Sequence, residues 1–233
     1  TSLTIDEFSL TPGTYDSTNG YNPPIWGDLL ANIRDIGTAT GSNLHTLRLD
    51  SLVGVGYYEL GNPGTASPAT YTVVEVFLPK LTTAGCALLS GCIFLASVYL
   101  PLLASVEAYS LVGCTALKEI LFPSLTTAQS GLLSGCTSLT VVSIGTGLDP
   151  LAHTLTVGDY FLYDCLALTT LIIGIPIGSW GTSHMFGGTT VPRNITLYLC
   201  DAEHNRDNTD TDVANNKWRG IIFGSIIKGA PPQ

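Results

Sequence analysis

Charge is scarce in this sequence: Asp, Glu, Lys and Arg make up 12% of its 233 residues, and only 9 of those are basic against 18 acidic. The net charge of −9 therefore comes from a shortage of Lys and Arg rather than from an acidic tail. Such a surface repels phosphate backbones, which excludes nucleic acid as a partner. Unbroken apolar runs are missing too. Mean hydropathy is +0.34, and residues 81–106 and 120–148 carry no charge over more than the ~20 residues a membrane helix needs. Gly, Ser, Thr and Pro interrupt both stretches at fixed intervals, the pattern of a buried repeat rather than of a lipid-facing helix. No signal-peptide, lipid-anchor or stop-transfer pattern stands in these residues, and no transmembrane segment is expected. The chain begins at Thr1 rather than Met, which fits a processed or truncated export product and equally a chain trimmed for expression.

Catalytic and metal-binding signatures are also lacking. His45, His153, His184 and His204 lie in no G-x-S-x-G, H-E-x-x-H or phosphate-cradling glycine loop, so no catalytic residue and no cofactor are assigned. Short C-x-x-C or Cys/His spacing for zinc is absent, and no metal is expected. The acidic stretch at 201–212 holds Asp201, Glu203, Asp207, Asp210 and Asp212 without the turn glycine and closing Glu of an EF-hand loop, so it reads as a solvated surface loop.

What is present is a repeat. Cys92, Cys114 and Cys136 stand 22 residues apart, and four other columns keep the step: Pro79, Pro101, Pro123; Leu78, Leu100, Phe122; Leu89, Leu111, Leu133; and Leu95, Leu117, Leu139. One unit reads L-x-x-V-x-L-P and runs through an apolar turn to G-C-x-x-L. Alternation at Val98 and Leu100 marks a short strand with one buried face, which the following proline stops. The unit from Leu139, Val142 and Ile144 closes at Cys165 and Leu168, 29 residues after Cys136, which puts an insertion near 145–155. Upstream, Leu44, Leu47 and Leu49 precede Val73, Val76 and Leu78 by the same 29, with a second insertion near 61–69. Leu171 with Ile173, and Ile195 with Leu197 and Leu199, supply further strands. A single unit cannot bury its apolar side, but stacked copies share one core.

The unit resembles the BspA-like class of leucine-rich repeats, with Leu at 89, 111, 133 and 162 where that family carries Phe, and Phe kept at Phe186. The resemblance implies a leucine-rich-repeat solenoid, a right-handed curved parallel β-sheet of about seven strands with short helices or irregular turns on its convex side and caps at both ends. The expected organisation is an N-terminal cap at 1–42, repeats at 43–199 and a C-terminal cap at 200–233. Leu29, Leu30, Ile33 and Ile36 have helical spacing, so residues 26–36 are expected to plug the first repeat. Trp218, ahead of Ile221, Ile222 and Phe223, is expected to cover the last. Neighbours in the column Cys92, Cys114, Cys136, Cys165 are close enough to pair. A column facing a packed core more often holds inert thiols, and free thiols are expected.

Alternation also names the side chains that point away from the core: Arg48, Phe77, Tyr99, Leu121, Ser143, Ile172 and Tyr198, with Glu75 and Glu119 two residues earlier in their strands. An idle column would be polar. Most of this one is aromatic or aliphatic, which makes the concave face a candidate contact site. Arg48, Glu75, Phe77, Tyr99, Glu119, Leu121, Ile172 and Tyr198 are the candidate ligand-binding residues. The resemblance implies an exported or cell-surface protein of a host-associated bacterium that adheres to a host or cell-surface protein. A glycan is the alternative ligand, and self-association through the apolar column is a third reading.

Overall fold

The computed structural model describes residues 2–5, 15–16, 20–21, 46–50, 52–55, 73–180, 185–186, 194–199, 215–218 and 221–229. Strand β1 (Ser2–Ile5) is followed by the antiparallel pair β2 (Tyr15–Asp16) and β3 (Gly20–Tyr21). Each turn then contributes two strands, the first longer than the second in every turn but that of β14 and β15: β4 (Thr46–Leu49) and β5 (Gly54–Val55), β6 (Glu75–Phe77) and β7 (Thr83–Ala84), β8 (Ser97–Tyr99) and β9 (Ser105–Val106). The series continues with β10 (Glu119–Phe122) and β11 (Thr127–Ala128), β12 (Val141–Ile144) and β13 (Leu155–Val157), then β14 (Thr170–Ile173) and β15 (Ile177–Trp180). It closes with β16 (Thr196–Leu199), the short antiparallel pair β17 (Lys217–Trp218) and β18 (Ile221–Ile222), and β19 (Ser225–Lys228).

The longer strands stack in parallel as two hydrogen-bonded groups, β1-β4-β6-β8 and β10-β12-β14-β16-β19. The shorter strands form a second parallel sheet, β5-β7-β9-β11-β13-β15. The expectation of short helices behind the strand column is therefore corrected to a second sheet, while turns make up the remaining side. Two-residue segments such as Thr83-Ala84 and Thr127-Ala128 pair as a sheet because each repeat places the same inward Val or Ala beneath its neighbour: Val55, Ala84, Val106, Ala128 and Val157 are all buried. Residues 26–36 and 61–69 lie outside the described residues, so neither the expected helix nor the first insertion is placed. The second insertion runs between β12 and β13. Gly145 there takes the place that Pro79, Pro101 and Pro123 hold in the regular units, with φ of 68° and Ile175 Cγ1 2.6 Å from where a Cβ would sit.

The remaining side of each turn is a ladder of alternating handedness. Ala87, Leu89 and Gly91 have φ of 62°, 52° and 75°; Tyr109, Leu111 and Gly113 repeat this at 61°, 55° and 69°, and Gly131, Leu133 and Gly135 at 78°, 64° and 73°. Reversal at every second residue sends amides alternately to the next and the previous turn. Tyr109 N–H donates to Ser130 O at 2.8 Å and Gly113 N–H to Ser134 O at 2.8 Å, while Leu111 N–H donates back to Leu88 O at 2.7 Å. Left-handed backbone costs a leucine about 1–2 kcal/mol, which burial of its side chain, at about 1.5–3 kcal/mol, offsets. Ser110 is the buried polar member of this side. Its hydroxyl accepts from Leu88 N–H at 3.1 Å and lies 3.2 Å from Glu107 O as a donor, so it carries no unpaired group into the core.

Threonine hydroxyls tie consecutive turns together. Thr82, Thr126, Thr140 and Thr169 donate to Val53 O, Ala104 O, Lys118 O and Thr140 O at 2.9–3.1 Å. Between the sheets runs one continuous core. Leu47, Val76, Ile120, Val142, Leu171 and Leu197 form one inward file, and Leu49, Leu78, Leu100, Phe122, Ile144, Ile173 and Leu199 form a second.

Candidate functional site

The residues read as outward from the sequence do share one face. Register places Arg48 beside Phe77, Phe77 beside Tyr99, Leu121 beside Ser143, Ser143 beside Ile172, and Ile172 beside Tyr198. Tyr99 is 52% exposed and Leu121 57%, while Phe77, Ile172 and Tyr198 are half-buried. Ser143 departs from the expectation: it is only 4% exposed. Its short side chain stands between Leu121 and Ile172, one strand spacing of about 4.8 Å to each side, and the larger neighbours close over it. Ile227, which sequence reasoning missed, extends the file next to Tyr198 and is 40% exposed.

The upper end of this file is ordered by its own side chains. Arg48 Nε donates to Asp50 Oδ2 at 2.8 Å, which sets the guanidinium 5.7 Å from the centre of the Phe77 ring. Phe77 and Tyr99 lie 6.3 Å apart with a 47° tilt. Cation, ring and ring thus follow one another at strand spacing, each held by a laddered backbone. A second file runs beside the first: Thr46, Glu75 and Ser97, then Glu119, Val141, Thr170, Thr196 and Ser225. Thr46 Oγ1 donates to Glu75 Oε2 at 3.1 Å, and Ser225 Oγ to Thr196 Oγ1 at 3.1 Å. Glu119 is exposed and Glu75 half-buried. The face therefore offers an apolar and aromatic file flanked by hydroxyls and two carboxylates, which suits a partner burying apolar area while donating to oxygen.

The described cysteines are free thiols. Cys114, Cys136 and Cys165 each donate to a leucine carbonyl of the preceding turn, Leu89 O, Leu111 O and Leu133 O, at 3.1–3.2 Å. Burial pushes Cys92 from 9.0 up to about 12, and burial also raises Cys165. Cys86 is half-buried and rises to about 11 through desolvation and its contact with Glu107 Oε2 at 3.3 Å. A folded state that holds these protons more tightly than the unfolded chain has their contribution in full below pH ~9 and loses it as pH climbs through ~11–12. Urea titrations are expected to show stability falling over that alkaline window. At pH 8 a thiol-specific chromogenic disulfide should leave the column cysteines untouched until urea unfolds the chain, whereas rapid labelling in the native state would contradict their burial.

Among the described residues no group of three or more His, Cys, Asp or Glu side chains could hold a metal ion, and no helix is long and apolar enough to cross a membrane. The acidic stretch at 201–212 lies outside the described residues.

No known family profile matches this chain, and no curated protein does. Among solved structures it is similar to that of a leucine-rich repeat protein from Bacteroides ovatus, with 17% sequence identity and a TM-score of 0.38, over 70% of this chain and 48% of that one. The chain spans about half the length of that protein. By its own 22-residue step and laddered strands, it is a parallel β-solenoid.

Proposed function

We propose that this chain is a non-enzymatic binding module, displayed on or secreted from a bacterial cell, that adheres to a host or cell-surface protein through the outer face of its longer strands. The observation that carries the reading is the outer file itself: Phe77, Tyr99, Leu121, Ile172, Tyr198 and Ile227 present rings and aliphatic chains to solvent from fixed backbone positions. Pre-ordered aromatic anchors of this kind concentrate binding energy because little side-chain entropy remains to be lost on contact. The kinship to BspA-like surface repeats and a role in adhesion by a commensal belong to the same proposal.

Glycan recognition is a second reading, favoured by the exposed Tyr99 ring with the exposed Glu119 carboxylate two positions down the neighbouring strand. A panel of host matrix proteins and glycans, tested against the native chain and a Phe77→Ser/Tyr99→Ser variant of matched stability, separates the two. Loss of two anchors is expected to weaken protein binding about 100-fold or more. Saturable quenching of tyrosine fluorescence by a soluble oligosaccharide would favour the glycan, and binding that the variant retains would move the site off this face.

A further inference from the structure

The outer sheet is interrupted at one place. No backbone hydrogen bond among the described residues joins β8 to β10, although the two strands are consecutive in the stack. The repeat shows which bonds are missing. Leu78 N–H donates to Tyr99 O at 3.0 Å, and the amides of Ala96 and Ser97 to Val74 O at 2.7 and 3.1 Å; Thr140 and Val141 donate likewise to Lys118 O at 2.7 and 3.3 Å. The counterparts across the gap, from Lys118 and Glu119 to Ala96 O and from Leu100 to Leu121 O, are not made. On the other two sides the same turns stay joined, by Thr126 and Thr127 to Ala104 O at 2.9 and 3.1 Å and by Gly113 to Ser134 O at 2.8 Å. Val98 is half-buried where its counterparts Val76 and Ile120 are each 1% exposed.

We infer that the gap between β8 and β10 is where an extended segment of a protein partner enters the sheet as an added strand, beside the Tyr99 and Leu121 side chains. The inference rests on the strand face being a protein-binding surface, and it names the chemistry of the partner. Neighbouring residues of a strand address opposite sides, so with Ser97 and Tyr99 turned to β6, the main-chain groups of Val98 face the gap, opposite those of Glu119 and Leu121. Unpaired donors and acceptors lying in the plane of a sheet are complementary to another extended backbone. A sugar cannot supply that alternation of amide and carbonyl. The continuous bonds of the second sheet and of the turn ladder act as a spine on which the two halves part to admit the strand, and an apolar side chain of the partner then covers Val98.

The test uses the full chain and fluorescein-labelled heptapeptides copying residues 117–123 and 95–101, the strand sequences bordering the gap. Saturable anisotropy changes are expected with at least one peptide, weakened about tenfold or more when alternate peptide nitrogens are methylated. An Ala96→Cys/Lys118→Cys variant, oxidised to staple the gap, is expected to lose that binding and regain it on reduction; residues one turn apart lie within reach of a disulfide. No saturable binding by either peptide, or binding indifferent to methylation or to the staple, overturns the inference. A panel protein that binds the stapled chain normally but not Phe77→Ser/Tyr99→Ser would sink the gap while leaving the face intact; a panel protein indifferent to both variants would remove the face reading itself.

Discussion

Replacing Phe122 with alanine is expected to lower the unfolding free energy by about 3–5 kcal/mol, the cost of an emptied aromatic site in a packed core. Phe122 is fully buried at the end of β10, in the file where other turns carry Leu78, Leu100, Ile144 and Ile173, so it is the largest member of its column. Its neighbours are fixed by the backbone it belongs to: Gly145 N–H donates to Phe122 O at 2.8 Å, and Phe122 pairs in register with Ile144. The turns therefore cannot collapse onto the vacated volume without breaking the ladder. For a chain of this size the loss corresponds to a fall in Tm of about 6–20 °C. Phe122→Leu restores the residue its column uses elsewhere and should cost under about 1.5 kcal/mol. Because each turn of a solenoid touches only its neighbours, a defect here weakens coupling between the two halves of the array. Urea unfolding of the alanine variant is thus expected to broaden or split into two transitions, and a sharp transition with unchanged midpoint would contradict this role for Phe122.

The strand files were legible because two periods coincide: alternation within a strand and a 22-residue step between strands, so Leu47, Val76, Ile120 and Val142 fall on one inward file. Features that depend on neighbours rather than on period were not. Ser143 sits at an outward position and is buried because of the size of Leu121 and Ile172, which alternation does not weigh. The second sheet uses strands as short as Ser105–Val106, too brief to show alternation at all. Leu89, Leu111 and Leu133 read correctly as core, but nothing in a leucine announces left-handed backbone; the signal lies in Gly91, Gly113 and Gly135 two residues on. Strand β19 had a signal that went unused. Thr196 and Ser225 stand 29 residues apart, the same step that separates Leu47 from Val76 and Val142 from Leu171. The gap beside β8 is a matter of missing bonds, which no residue type in the sequence announces, since Ala96 and Ile195 lack a hydroxyl at the position of Lys118 and their strands pair normally.

Toward the C-terminal end of the array, Trp218→Ala is expected to cost a similar ~3–5 kcal/mol but to express it differently. Trp218 is a fully buried side chain of β17, 6.2 Å from the Phe223 ring, which in turn lies 5.9 Å edge-on to Phe186. Asn216 anchors this cluster to the last strand. Its Nδ2 donates to Gly224 O at 3.3 Å, its Oδ1 accepts from Ile226 N–H at 3.2 Å, and Phe223 N–H donates to its main-chain oxygen at 2.9 Å. Removing the indole therefore loosens β19 before it loosens anything else, since among the described residues β19 pairs with β16 alone in its sheet. Hydrogen exchange should quicken first at Ile226 and Ile227, then at Leu197 and Leu199, while amides of β12 keep their native protection. Trp218→Phe should recover much of the loss, because a ring of the same character can still meet Phe223 edge-on. Uniform loss of protection along the whole chain would instead mean that the end cluster supports every turn, and that the array folds as one cooperative unit rather than as coupled neighbours.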